Sequence, residues 1–185
     1  MLYQIISFLL EVATGLVGGA CLLRFYMQQQ RVGFSNPLGQ FVFAVTDWLV
    51  LPLRRVLPAL GRQDSASVVA AWAVELTQFV LLWGLTGGDS SFAAVLLLSA
   101  FGLVRLALSS LIGLLMIYAI LSWVGQHSPF NQVVERLCAP PLAPVRRLVP
   151  LVGGIDLSPL ILLVVLQVLM MLLGGLQAQL LLGMA

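Results

Sequence analysis

The chain has 185 residues, 61% apolar and 9% charged, with a formal net charge of +2 and a mean hydropathy of +1.07. Soluble domains carry about 25% charged residues, so the charge here is too sparse to coat a water-exposed surface. That argues against a soluble enzyme, a disordered chain and a nucleic-acid binder, and for an all-α integral membrane protein with room for four spans of about 20 residues.

The first apolar stretch runs from Tyr3 to Met27. It lacks a basic leader and a small-x-small cleavage site, so it reads as a span and not as a cleavable signal. Gly15-x-x-x-Gly19 within it suits close helix contact. Next comes an amphipathic segment with Leu38, Phe41, Val42 and Val45 at helical spacing, the pattern of a helix lying in the headgroup plane. Trp48 fits an interfacial anchor, and Pro52 should end the helix. The second apolar stretch is Ala66 to Leu85, with Glu75 near its middle.

The third stretch, Phe92 to Val124, would rise about 50 Å as one helix against a hydrocarbon core of about 30 Å. The span is therefore placed at Leu106–Val124, leaving Phe92–Val104 interfacial or half-inserted, with a fifth span as the alternative. A second amphipathic segment follows. Phe130, Val133, Val134, Leu137 and Cys138 share one face, and Asn131, Gln132, Glu135 and Arg136 the other. Pro140, Pro141 and Pro144 should end it. In the first segment Phe43 and Ala44 stand where the second has Glu135 and Arg136, so the first should sit deeper or pack against protein. The fourth stretch is Leu157 to Leu182.

Shifting the chain by 92 residues lays Pro37–Asp64 on Pro129–Asp156 without a gap, with nine of 28 positions identical. Each copy reads Pro-x-Arg-Arg-x-x-Pro-x-x-Gly-x-x-Asp, from Pro52 to Asp64 and from Pro144 to Asp156. The chain thus reads as a tandem repeat, residues 1–88 and 89–185, each copy a span, an amphipathic interfacial helix and a span. A two-span unit returns the chain to its starting side, so the copies are parallel. All nine basic residues are arginines. Arg31, Arg54, Arg55 and Arg62 lie in the first loop and Arg136, Arg146 and Arg147 in the second, while the loop between copies has only Asp89. The positive-inside rule then puts both arginine loops in the cytoplasm and both termini in the periplasm.

The arginine pairs, Arg54 with Arg55 and Arg146 with Arg147, have two readings. They hold the loops inside and bind anionic headgroups, each worth about 1 kcal/mol, or they form a docking face or gate bonded to carboxylates. Asp64 and Asp156 read as helix N-caps. Glu75 and Gln167 fall on each other in the repeat and could form an intramembrane polar site or an interhelical hydrogen bond. Glu11 and Arg105 lie at similar depth and suit an ion pair, while Arg24 can snorkel from the cytoplasmic end of its span. Cys21 and Cys138 read as small apolar side chains. His127 has no metal-ligand spacing around it, and Gly153-Gly154 lacks the context of a phosphate loop. No catalytic motif, cofactor or metal site is expected.

Ser128-Pro129-Phe130, then Pro141-Leu142-Ala143-Pro144-Val145-Arg146-Arg147 and Gly153-Gly154-Ile155-Asp156-Leu157-Ser158-Pro159, resemble the signature of the YggT family. Leu121-Ser122-Trp123 matches upstream, and Asn36-Pro37-Leu38 through Pro52-Leu53-Arg54-Arg55 to Asp64 is similar in the first copy. Gly61-Arg62-Gln63-Asp64 departs from the Gly-Gly-Ile-Asp of the second. The resemblance implies a bacterial inner-membrane protein. Bacterial relatives are linked to osmotic or extracytoplasmic stress and potassium uptake, others to cell division, nucleoid distribution and membrane-complex biogenesis. The expected role is a non-enzymatic scaffold or assembly factor whose loops meet anionic lipid and a partner, a second copy or another membrane protein. The alternative is an ion channel or transporter with Glu75 and Gln167 near its path.

Overall fold

Among the described residues the chain forms six α-helices: α1 (Leu2–Gln29), α2 (Pro37–Val56), α3 (Ser65–Leu85), α4 (Phe92–Val124), α5 (Pro129–Leu148) and α6 (Ser158–Leu182). The structure, a computed structural model, describes residues 1–56, 64–87, 91–124, 128–148 and 156–182. The expectations placed on Pro58, Gly61, Arg62, Asp89, His127, Pro150, Gly153 and Gly154 lie outside the described residues.

Among the described residues, four helices are long and apolar enough to cross a membrane: α1, α3, Phe92–Ser122 of α4, and α6. Their outward faces carry exposed side chains such as Phe8, Leu9, Leu160, Val164 and Leu172. A soluble protein could not show such a surface without associating, whereas hydrocarbon requires it. The third stretch is not divided near Val104: α4 is one unbroken helix. No proline falls within it, and in lipid the backbone has no partner outside the helix, so Gly102 and Gly113 do not interrupt it. Its excess length is taken up by tilt or by extension past the core.

The two amphipathic helices begin alike. Asn36 Oδ1 accepts the Gly39 amide at 2.9 Å, and Ser128 Oγ accepts the Asn131 amide at 3.2 Å. Each cap precedes a proline at the first helical position, where its missing N–H costs nothing. α1 ends with Arg31 in the left-handed region, φ 53°, and with the Val32 amide bonded to the Met27 carbonyl at 2.9 Å. Met27 and Val32 are both buried, the apolar contact that accompanies this kind of helix stop.

Neither set of prolines ends its helix. Pro52 lies inside α2, and Pro140, Pro141 and Pro144 lie inside α5. A proline deprives the carbonyl four residues back of its donor, so the helix survives where that carbonyl finds another. Pro141 frees the Leu137 carbonyl, and the Tyr26 hydroxyl of α1 donates to it at 2.8 Å. Tyr26→Phe should therefore cost about 1–2 kcal/mol, the price of a buried acceptor left without a donor. Thermal unfolding in detergent checks this, and an unchanged midpoint would show that the carbonyl has another donor.

Two apolar clusters hold the bundle. One joins Met27, Val42, Leu115, Val134, Leu137, Leu142 and Leu166, so α2 and α5 gather at the same end of the bundle. The other packs Cys21 and Val50 on Ala66, Ala70 and Ala71 of α3. These alanines let α3 lie close against α1, while α6 packs on α4 and α5. The close approach on α1 is made at Gly18, where a Cβ would meet Leu106 Cδ2 at 2.6 Å. A Cβ on Gly19 would stand 3.3 Å from Ser110 Oγ, while Gly15 faces open space, so the contact is made by Gly18 and Gly19 and not by the Gly15-x-x-x-Gly19 pair. In α2 the buried face is Gly39, Val42, Thr46 and Val50, which leaves Phe41 exposed. Phe43 packs on protein, its ring stacked on Phe34 with centroids 4.6 Å apart.

Candidate functional site: two arginine–aspartate clasps

At the end of the bundle where α2 and α5 gather, an arginine near the last turn of each helix reaches an aspartate ten residues later. In the first half, Arg54 donates through Nε to Asp64 Oδ1 at 3.2 Å and through Nη2 to Oδ2. Gln28 Nε2 at 3.2 Å and Ser67 Oγ at 2.6 Å also donate to Oδ2. Arg24 enters from α1. Its Nη1 donates to Thr46 Oγ1 at 2.7 Å and Asp47 Oδ1 at 2.6 Å, and its Nε stands 3.9 Å from Asp64. The guanidinium lies over the Phe43 ring, 4.7 Å from the centroid. Two cations and two anions balance, and α1, α2 and α3 are tied together by one carboxylate that is 8% exposed.

The second half makes the same pairing in a more open setting. Arg146 Nε donates to Asp156 Oδ2 at 2.9 Å, and Nη2 donates to the Tyr118 hydroxyl at 2.8 Å. Asp156 Oδ1 accepts the Ser158 amide at 2.9 Å. Met116, Cys138 and Ala139 stand 92 residues after Arg24, Thr46 and Asp47, so the second carboxylate lacks the inner ring of polar partners.

These contacts change the reading of both aspartates. Asp64 occupies the N-cap position of α3, yet its side chain accepts no cap amide; the arginine outcompetes it. Asp156 caps and clasps together. Burial alone would raise each carboxyl. Hydrogen bonds from Arg54 and Ser67, with the Arg54 and Arg24 charges, outweigh it at Asp64. Bonds from Ser158 and Arg146 outweigh it at Asp156, and both carboxyls lie below the usual carboxylate range. Native carboxyls therefore bind fewer protons than unfolded ones. Their contribution is complete above about pH 4–5 and is lost as pH falls through the lower folded values. Thermal unfolding across a pH series should be flat near neutrality and fall in acid, with a shallower fall in Asp64→Ala.

The arginine pairs split into two jobs. Arg54 and Arg146 are held by carboxylates. Arg55 and Arg147 are exposed, and among the described residues neither forms an ion pair. Arg31 and Arg136 are likewise exposed at this end.

The family profile described as CCB3/YggT matches this chain twice, over residues 3–85 and 97–177. The chain belongs to the CCB3/YggT family. An Escherichia coli relative described as "Uncharacterized protein YggT" is 38% identical over 168 residues, covering 90% of this chain and 87% of the relative. A Vibrio alginolyticus protein, "Uncharacterized protein in proC 3'region", is 39% identical over 164 residues, 87% of this chain and 89% of the relative. An uncharacterised Pseudomonas aeruginosa protein is 40% identical over 143 residues, 75% and 73% of the two chains. No solved structure matches. Within this YggT-family chain each profile match takes in one clasp.

The intramembrane candidates do not assemble into one site. Glu75 is buried on α3, whereas Gln167 is exposed on α6; each of these helices packs against α4. Glu11 and Arg105 are exposed on α1 and α4 and are not an ion pair among the described residues, where Arg24, Arg54 and Arg146 make the salt bridges. A groove of about 330 Å³ runs between α1 and α3, lined by Leu10, Thr14, Val17, Trp48, Val74 and Thr77 among others. Trp48 is 65% exposed, with Nε1 bonded to the Val45 carbonyl at 2.7 Å. The network around Arg24 is what sequence reasoning missed. Its signal was an arginine in an apolar stretch preceding two aspartates in the adjoining loop.

Proposed function

We propose that this YggT-family chain is a non-enzymatic, multi-pass protein of the bacterial inner membrane. It acts as a scaffold or an assembly or stress-response factor through the arginines of two cytoplasmic loops. Its partners are anionic lipid headgroups and a second membrane protein, either another copy or a different chain; nucleic acid has no part in it. In this reading both termini are periplasmic, which the arginine bias of the loops supports.

A tandem duplication underlies this reading. α2 and α5 begin and end 92 residues apart, as do their caps Asn36 and Ser128, and Leu22, Leu23 and Tyr26 of α1 align with Leu114, Leu115 and Tyr118 of α4. α2 and α5 then lie at the interface as paired amphipathic helices.

The observation that carries the proposal is the division of labour in each pair. Arg54 and Arg146 fix the end of the helix to the bundle, which holds Arg55 and Arg147 at set positions, exposed and, among the described residues, without an ion pair. An arginine needed only for topology would require no such fixing. Arg55→Gln with Arg147→Gln should leave insertion and thermal stability unchanged, since exposed charges contribute little to folding. Retention of phosphatidylglycerol or cardiolipin, read by native mass spectrometry, should fall about tenfold or more at about 1 kcal/mol per arginine. Lipid retention and cellular function at the level of the unaltered protein in a stably inserted double variant would defeat the proposal.

A further inference from the structure

Among the described residues, one buried carboxyl belongs to neither clasp. Glu75 stands ten residues into α3, about 15 Å from its start, near the middle of a hydrocarbon core of about 30 Å. It is 7% exposed, and among the described residues it has no hydrogen bond and no ion pair. Space for its carboxyl is left by the facing helix. A Cβ on Gly102 of α4 would collide with Glu75 Oε2 and come within 2.9 Å of Phe79 Cε2. Two charges act on Glu75 from the helices beside it, Arg105 on α4 and Glu11 on α1. α2, the third helix packed on α3, offers none: Asp47 and Arg54 are committed to the first clasp, and Arg55 is exposed beyond them.

An ionised carboxylate without a partner at this depth is among the costliest placements a side chain can take. Two events can neutralise it: uptake of a proton, or recruitment of Arg105 from its exposed position. Arg105 lies three residues from Gly102 on the same side of α4, and its charge already acts on the carboxyl from there. We propose that Glu75, seated over Gly102 and opposed by Arg105, is an intramembrane proton-binding site. The proton adds to a carboxylate oxygen of Glu75 to give the neutral acid. Its departure leaves the anion, which Arg105 then pairs. Glu11, the like charge on α1, favours the acid form. The site rests on nothing in the loops, so it stands or falls separately from the lipid-contacting role.

The test is a pH titration of the protein in lipid nanodiscs, followed by infrared absorption of the protonated-carboxyl C=O stretch. Each variant is first checked for elution identical to the unaltered protein on gel filtration. A band should be present at neutral pH, fade on alkalinisation and be missing from Glu75→Gln. Should that variant not fold, Glu75→Asp replaces it, and the band should move in frequency. Arg105→Gln removes the competing cation, so the fading should move up by about one pH unit or more. Glu11→Gln removes the repelling anion and should move it down. Opposite shifts from these two exposed positions are something a merely structural glutamate would not give. Absence of a Glu75-dependent band at every pH overturns the proposal, as does a band whose titration is indifferent to both neighbouring variants.

Discussion

Asp64→Ala should destabilise the protein by about 3–5 kcal/mol, the range for removing one member of a buried ion pair. Arg24 is 3% exposed at its side chain, and among the described residues the substitution leaves it Asp47 as its one counter-charge while Arg54 swings free. Gln28 and Ser67 lose their acceptor in the same step. The counterpart, Asp156→Ala, should cost no more than about 1 kcal/mol. Arg54 and Arg146 are each 39% exposed, but Asp156 is 30% exposed where Asp64 is 8%, so water replaces much of what is lost. Thermal unfolding of the two variants in one detergent makes the comparison. Equal losses would mean that burial does not set the worth of these pairs, and the first clasp would no longer be the stronger anchor.

Gly39→Ala should cost about 3 kcal/mol, the upper end for forcing an extra carbon into a filled space. A Cβ there would stand 2.5 Å from the Phe34 carbonyl oxygen, 2.6 Å from its Cα and 2.8 Å from its carbonyl carbon. All three are backbone atoms, which cannot rotate aside as a side chain can. The turn is also pinned, since Asn36 donates to the Gly33 carbonyl and accepts the Gly39 amide. Relief would have to come from displacing the start of α2, and with it Thr46 and Asp47 in the first clasp. A loss below about 1 kcal/mol would show that the turn yields on its own, and the entry to α2 would then not be rigid.

Much of the helical plan can be read in the residues alone, because length and period encode it. Four apolar stretches give four long helices, and the stripe through Val134, Leu137 and Cys138 gives the buried face of α5. The errors share a cause. A proline in a helical run predicts a stop, yet at Pro141 the freed Leu137 carbonyl is satisfied by Tyr26, 111 residues away. Leu38, Phe41, Val42 and Val45 share the apolar stripe of α2, but which of them packs on protein is set by tertiary contacts: Val42 is buried and Phe41 exposed. The division of α4 came from comparing its length with a bilayer, although nothing in Phe92–Val124 breaks a helix.

At the candidate site the repeated arginines and aspartates are visible in the sequence, but their pairing is not. Ten residues separate Arg54 from Asp64 across the end of one helix and the start of the next, where no periodicity applies. The equivalence of Glu75 and Gln167 in the repeat did not place them together, because α3 and α6 occupy different surroundings. The caps at Asn36 and Ser128 escape a reading that looks for them only beside the spans. Each stands before a proline at the head of an amphipathic run, a stronger signal than an aspartate near a span.

Arg24 also bears on the order in which the protein is made. Each of its partners lies downstream in the chain: Thr46 by 22 residues, Asp47 by 23, and Asp64 later still. When α1 leaves the ribosome its guanidinium has no counter-charge, and an uncompensated arginine is held at the water boundary. The counter-charges that let Arg24 sit buried are thus supplied only once α2 and the start of α3 have been synthesised.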